Sequence, residues 1–217
     1  MPARSTAKPD DSAAHWQRAY AERRTEELSW TEPVPARSLA LIQESALPLN
    51  AAILDVGGGA SRLASELSRS GHTDLTVADI SAEALERAKA DLGGSSGRVT
   101  WIVADMRDHD FNRRFDLWHD RAVFHFMVEA EDRKRYLDSL GKALRPGGHL
   151  ILATFGPDGP SECSGLPVRR YDADALSQTV GADFELVSSH LTEHRTPSGR
   201  IQQFLYAHLR LLDEGSS

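Results

Sequence analysis

The chain has 217 residues, with 25 basic against 32 acidic side chains, a formal net charge of −7 and one cysteine, Cys163. This length suits one well-buried domain, and the acidic balance offers phosphate backbones no general attraction, so no nucleic-acid partner is expected without a local basic patch. A lone cysteine forms no internal disulfide, no apolar run approaches the ~20 residues that span a bilayer, and Met1 to Ser12 lacks an apolar signal core; the expectation is a cytoplasmic protein with no membrane partner, monomer or homodimer.

In chain order, residues 1–14 are rich in Pro, Ser, Asp and Ala without apolar periodicity and read as a flexible N-terminus. Residues 15–48 read as a helical cap segment. Within it, His15 to Glu27 is dominated by helix formers, with Trp16 and Tyr20 spaced to share a face, and Val34 to Leu47 opens on Pro35 and closes before Pro48. The remaining 49–213 form the main domain. Strands near 51–56, 74–79, 99–103 and 115–119 alternate with helices near 61–69, 81–91 and 131–144, the pattern of a parallel sheet covered on both faces. Ser81 has the character of an N-cap. A strand at 149–155 and a short helix near 172–180 follow, and then two strands, 184–191 and 202–211, joined by the turn residues Thr196-Pro-Ser-Gly199 as an antiparallel hairpin.

The chemistry concentrates where strands end. Ile53-Leu54-Asp55-Val56-Gly57-Gly58-Gly59 delivers an acidic residue into three glycines that open a helix, a shape that lets backbone approach a nucleotide cofactor. Leu75-Thr-Val-Ala-Asp79 is a second buried run, ending about twenty residues on in a carboxylate placed to accept ribose hydroxyls. A dinucleotide fingerprint read from Gly57 would put its third glycine at Arg62, which argues against NAD. Asp55 would oppose a diphosphate but suits the ammonium group of an amino-acid-bearing cofactor, directly or through water.

On these residues the chain resembles the class I methyltransferases that use S-adenosylmethionine (SAM). Asp55-Val-Gly-Gly-Gly59 is similar to the family's first motif, Asp79-Ile80 to its ribose-binding acid and neighbour, Ala104-Asp105-Met106 to the segment that brackets adenine, and Leu144-Arg-Pro-Gly-Gly148 to its entry into strand five. The resemblance implies an α/β, doubly wound, mostly parallel seven-stranded sheet with helices on both faces and a C-terminal antiparallel hairpin, in the order 3-2-1-4-5-7-6. It also implies SAM as cofactor, S-adenosylhomocysteine (SAH) as product, and no metal. In this reading Trp16, Trp30, Asp55, Gly57, Gly58, Gly59, Asp79, Ile80, Asp105, Met106 and the backbone of His119 surround the cofactor.

The acceptor is less determined. Family members carry acceptor-specific residues just after strand four, where this chain reads Trp118-His119-Asp120-Arg121-Ala-Val-Phe124-His125-Phe126. The Asn/Asp-Pro-Pro-aromatic motif of adenine and amide enzymes is missing here. The Asp-Arg pair is similar to thiopurine- and tellurite-type enzymes, while lysine enzymes usually place Asp-Lys-Gly-Thr at this point. His119 and His125 are candidate general bases, and Asp120 with Arg121 a candidate acceptor clamp; the alternatives are cofactor contact or packing for the histidines and mutual pairing for the clamp. The Pro- and Gly-rich 156–171 loop is a candidate substrate wall or lid, or a plain surface connection, in which Cys163 reads as an ordinary residue. The expected activity is methyl transfer to an oxygen, nitrogen or sulfur of a small molecule, with protein side-chain methylation as the alternative and a non-catalytic SAM-binding module as a third reading.

Overall fold

A computed structural model describes residues 9–213. Five strands, β1 (Ala52–Val56), β2 (Asp74–Asp79), β3 (Val99–Val103), β4 (Phe115–Arg121) and β5 (Leu144–Phe155), run parallel. A two-residue-a-side hairpin follows, β6 (Glu162–Cys163) with β7 (Leu166–Pro167), and then the long antiparallel pair β8 (Phe184–Arg195) and β9 (Ile201–Leu211). The main sheet has the order β3-β2-β1-β4-β5-β9-β8. With the small hairpin set aside, this is the expected 3-2-1-4-5-7-6, the last strand lying between the fifth and the sixth.

Alternation along the strands divides the core. Leu54, Val56, Trp118, Leu150 and Leu152 face α5 (Ala130–Ala143) and α6 (Ala173–Val180). Their neighbours Ile53, Leu117, Ile151 and Ala153 face α2 (Ala36–Glu44), α3 (Leu63–Arg69) and α4 (Ala82–Leu92). Every residue of β1 is buried, as a central strand covered on both faces requires. Local signals set the helix starts. Ser81 Oγ accepts from the Ala84 amide at 3.2 Å and Asp172 Oδ1 from Ala175 at 2.8 Å, each satisfying an otherwise unpaired first-turn donor. No helix among the described residues is long and apolar enough to cross a membrane.

Three elements differ from their sequence expectation. The first helix, α1, runs Pro9–Glu22 and so takes in 9–14, assigned above to a flexible terminus; residues 1–8 of that assignment lie outside the described residues. Proline is tolerated at a helix start. Thr25–Glu27, expected within the first helix, form a separate helical turn. The fifth strand, expected at 149–155, begins at Leu144 because β4 and β5 pair again below an irregularity in register, so Arg145-Pro-Gly-Gly148, expected as the entry to the strand, is carried inside it.

The cap crosses the carboxyl ends of the parallel strands. Tyr20 and Leu28 pack on Ala84, with Trp16, Trp30 and Ala60 alongside. Ser81 Oγ, besides capping α4, donates to Gln17 Oε1 of α1 at 3.0 Å, and Arg87 of α4 holds the backbone carbonyls of Tyr20 and Arg23.

Candidate functional site

Strand order reverses at β1: the chain leaves it toward β2 on one side and returns to β4 on the other, which opens a crevice at the carboxyl ends of β1 and β4. Two cavities lie there under the cap. The larger, about 830 Å³, runs from Asp79, Ile80, Asp105 and Met106 past Trp16, Trp30 and Phe126 to Leu166 and Pro167. The smaller, about 40 Å³, lies among Ser38, Asp55, Gly58, His119 and Arg121. Tyr20, Trp30, Gly57 and Arg121 border both.

The glycine turn shapes the floor. Gly57 has φ +66°, in the region that favours glycine, and a Cβ there would meet Val123 Cγ2 at 2.1 Å. A Cβ on Gly58 would lie 2.2 Å from Asp55 Oδ2. Gly59 borders neither cavity; its amide donates to Asp79 Oδ2 at 3.1 Å, while the Ser81 amide donates to Oδ1 at 2.8 Å. Burial outweighs these two bonds and raises the Asp79 pKa to about 6.

Parallel pairing sets Asp55 beside His119. His119 Nδ1 lies 2.7 Å from Asp55 Oδ1, and its Nε2 lies 2.9 Å from Ser38 Oγ of α2. A carboxylate oxygen only accepts, so the ring donates from Nδ1 to Asp55, while Nε2 shares a hydrogen bond with the serine hydroxyl. Asp55 is 4% exposed, and its second oxygen, Oδ2, has no hydrogen-bond partner.

Three of the proposed acceptor residues are corrected by these contacts. His119, 2% exposed with both ring nitrogens engaged, borders only the small cavity and is not placed as a base for an acceptor in the large one. Asp120 is fully buried and faces neither cavity: its carboxylate accepts from Tyr136 Oη at 2.5 Å and from the Val123 and Phe124 amides at 2.9 and 3.0 Å, shaping the turn after β4. Burial pushes its pKa up to about 6. His125 is also fully buried, edge-on to Phe126 and tilted against Phe155, and its Nδ1 accepts from the Phe155 amide at 3.4 Å; burial lowers its pKa to about 3. Strand-end position suggested chemistry for all three, but the fold turns them inward.

Arg121 does reach the site, though not as a partner of Asp120. It donates from Nε to Tyr206 Oη at 2.9 Å and from Nη1 to the Trp30 carbonyl at 2.8 Å, and its guanidinium stacks on Phe204. Nη2 is 3.2 Å from Glu32 Oε1, an ion pair without hydrogen-bond alignment, and is otherwise unpartnered. Asp105 borders the large cavity, but its carboxylate is taken by Arg107, with Nε at 2.9 and 3.0 Å; Arg107 also reaches Asp132.

Aromatic rings close the large cavity. Trp16 packs edge-on against Trp30 and Phe126, with centroids 5.6 and 5.1 Å apart, and Tyr20 packs against Trp30 at 5.9 Å. The far wall is the β6–β7 hairpin, so part of the 156–171 loop is a cavity wall, and Cys163 within it is a buried thiol with its pKa raised to about 11. Sequence reading did not single out Ser38, Glu32, Tyr206 or Tyr136. No local motif marks them, because each is joined to the site only by the fold.

These groups fit a sulfonium nucleoside cofactor: a carboxylate at the end of β2 for ribose hydroxyls, Ile80 and Met106 as apolar flanks for a base, and an unpartnered carboxylate oxygen beside the glycine turn for an ammonium group.

Comparison with known proteins agrees with this geometry. A family model described as a methyltransferase domain matches residues 53–148. Malonyl-(acyl-carrier protein) O-methyltransferase 2 of Ilyobacter polytropus is 28% identical over 107 residues, 49% of this chain and 40% of that protein. The biotin biosynthesis bifunctional protein BioCD of Bordetella avium is 31% identical over 161 residues, 73% of this chain and 32% of that one. The chain thus spans two fifths or less of the length of these two curated relatives. Among solved structures, Burkholderia thailandensis 1,6-didemethyltoxoflavin-N1-methyltransferase, bound to 1,6-didemethyltoxoflavin and SAH, shares the fold with a TM-score of 0.71 at 21% identity, over 98% of this chain and 94% of its own.

Proposed function

We propose, since this chain belongs to the class I family of seven-stranded, Rossmann-like SAM-dependent methyltransferases, that it transfers the methyl group of SAM to a small-molecule acceptor. The observation that carries this reading is the 830 Å³ cavity, which joins the Asp79 end of the sheet to an aromatic chamber beneath the cap. Its size falls within the ~300–1,000 Å³ typical of small-ligand sites. A relative named for O-methylation of malonyl-(acyl-carrier protein) and a structural neighbour named for N1-methylation of 1,6-didemethyltoxoflavin support methyl transfer to small acceptors, free or carrier-borne, as the class of chemistry.

When bound, SAM supplies an electrophilic methyl group on a positively charged sulfur. The chain's contribution is binding, alignment and exclusion of water. Asp79 offers a buried carboxylate to the ribose, and Ile80 and Met106 flank the base. Asp55 holds the ammonium. Trp16, Tyr20, Trp30 and Phe126 line the chamber under the cap, where aromatic faces would favour the cationic sulfonium. Neither His119, Asp120 nor His125 removes a proton from the acceptor in this arrangement.

The test is incubation with methyl-labelled SAM and host lysate, followed by separation of macromolecules from small molecules. Label in the soluble fraction, absent with the Asp79→Ala variant, supports the reading and delivers the product for identification. Label in a precipitate that survives nuclease would assign a protein side chain instead.

A further inference from the structure

The small cavity holds two buried polar atoms of opposite charge with no hydrogen-bond partner, Asp55 Oδ2 and Arg121 Nη2; the latter is ion-paired at 3.2 Å with Glu32 Oε1 on the same wall, a contact a ligand carboxylate would have to share or displace. Every other polar atom of these two side chains is engaged, Asp55 Oδ1 by His119 and Arg121 Nε and Nη1 by Tyr206 and Trp30. A buried group left without a partner is costly, so such a pair facing one cavity marks a place reserved for a ligand carrying both charges. At about 40 Å³ the cavity has room for roughly three water-sized groups, the scale of an α-amino-acid head. It shares Tyr20, Trp30, Gly57 and Arg121 as lining with the large cavity.

Resting on the SAM-binding reading above, we propose that Arg121 receives the carboxylate of the cofactor's methionine portion, while Ser38 acts through His119 to hold Asp55 for the ammonium. Arg121 is thereby a cofactor-reading residue and not an acceptor clamp. Ser38 and His119 are positioning residues. Ser38 fixes the ring from one side, the ring donates to Oδ1 from the other, and the carboxylate is held with Oδ2 facing the cavity. A close charged pair that is shielded from water is strong and directional, which suits discrimination of a zwitterion from a neutral nucleoside. Because Ser38 lies on α2 and Arg121 grips the Trp30 carbonyl, both readers of the methionine head are tied to the cap.

Three ligands separate the contributions by calorimetry: SAH, which carries both charges; decarboxylated SAM, which keeps only the ammonium of that head; and 5′-methylthioadenosine, which lacks the head. Arg121→Gln is expected to weaken SAH on the order of tenfold or more while leaving decarboxylated SAM and methylthioadenosine within about twofold. Ser38→Ala and His119→Gln are expected to weaken SAH and decarboxylated SAM about equally, several-fold, and to spare methylthioadenosine. Arg121 also braces the cap, so Arg121→Lys is the second variant: it keeps a charge and should recover part of the SAH affinity. Equal losses for all three ligands in Arg121→Gln, or no loss for SAH, overturns the assignment of Arg121. Equal losses for all three in Ser38→Ala and His119→Gln overturns the positioning role. If the wild-type protein binds none of the three, the SAM-binding reading itself fails, an outcome distinct from either.

Discussion

Asp55 and Asp120 end adjacent strands of the same sheet, both are buried, and both stand beside residues that look catalytic. Asp120 accepts from a phenol and two backbone amides, so its charge is consumed in shaping the turn after β4. Asp55 has one oxygen on His119 and the other without a partner against a cavity. The difference teaches that residue type at a strand end says little about ligand binding; the count of unused lone pairs and protons says more. An unsatisfied buried polar atom costs ~1–3 kcal/mol, and one that also faces a cavity, as Asp55 Oδ2 does, has its cost removed when a ligand pairs with it.

The sharpest way to break this comparison is Asp120→Ala. It strands the Tyr136 hydroxyl and the Val123 and Phe124 amides, and the expected loss in chemical denaturation is on the order of 4 kcal/mol. Unchanged stability with lost SAH binding would move Asp120 into the ligand site. On the opposite side, Gly58→Ala puts a methyl against Asp55 Oδ2, with an expected loss of about 3 kcal/mol, roughly a hundredfold, in SAH affinity by calorimetry. Its melting temperature should stay near wild type if the clash is relieved by the unpartnered oxygen moving.

A third experiment uses pH. Burial raises the Asp79 pKa to about 6, so the protein without ligand takes up a proton there as pH falls, whereas the ribose requires the charged form. SAH affinity should therefore be flat above about pH 7 and decline below 6, approaching tenfold per unit. Asp79→Asn should remove the slope, and an unchanged slope in that variant would assign the proton elsewhere. The smallest expected effect is that of His125→Asn. Loss of a general base costs ~10²–10⁴-fold in turnover, so a fall of less than about tenfold in SAH release is expected for a residue that only packs. A larger fall, with loss of an acidic limb from the pH–rate profile, would restore His125 as the base.

The fold was legible because strand ends are written locally. Buried apolar runs closing on Asp55 and Asp79, and the turn at Thr196–Gly199, are enough to order the sheet and to find its carboxyl edge. Legibility failed where local chemistry misleads: Arg145-Pro-Gly-Gly148, rich in turn-forming residues, reads as the entry to the strand but lies within it, and the polar stretch before His15 reads as flexible but belongs to α1 from Pro9. In the site, the glycines, Asp55, Asp79, Ile80 and Met106 follow from their position at β1 and β2 and the segment after β3. What was hidden is the saturation of side chains. Ser38 lies 81 residues from His119, Trp30 91 from Arg121 and Tyr206 85 from Arg121. Nothing in a local pattern announces such partners, so His119 and Asp120 look equally available until the tertiary contacts are seen.

The alignment of β1 with β4, Asp55 opposite His119 and Val56 opposite Asp120, also bears on how the chain finds its fold. A slip of β4 by one residue would bring Asp120 opposite Asp55, exchanging a carboxylate–imidazole contact for two carboxylates side by side in the protein interior. It would also turn Trp118, fully buried and bonded through Nε1 to Tyr136, toward the wrong layer of helices. The histidine beside the ligand cavity thus doubles as an alignment key, rejecting misregistered sheets before any ligand is present.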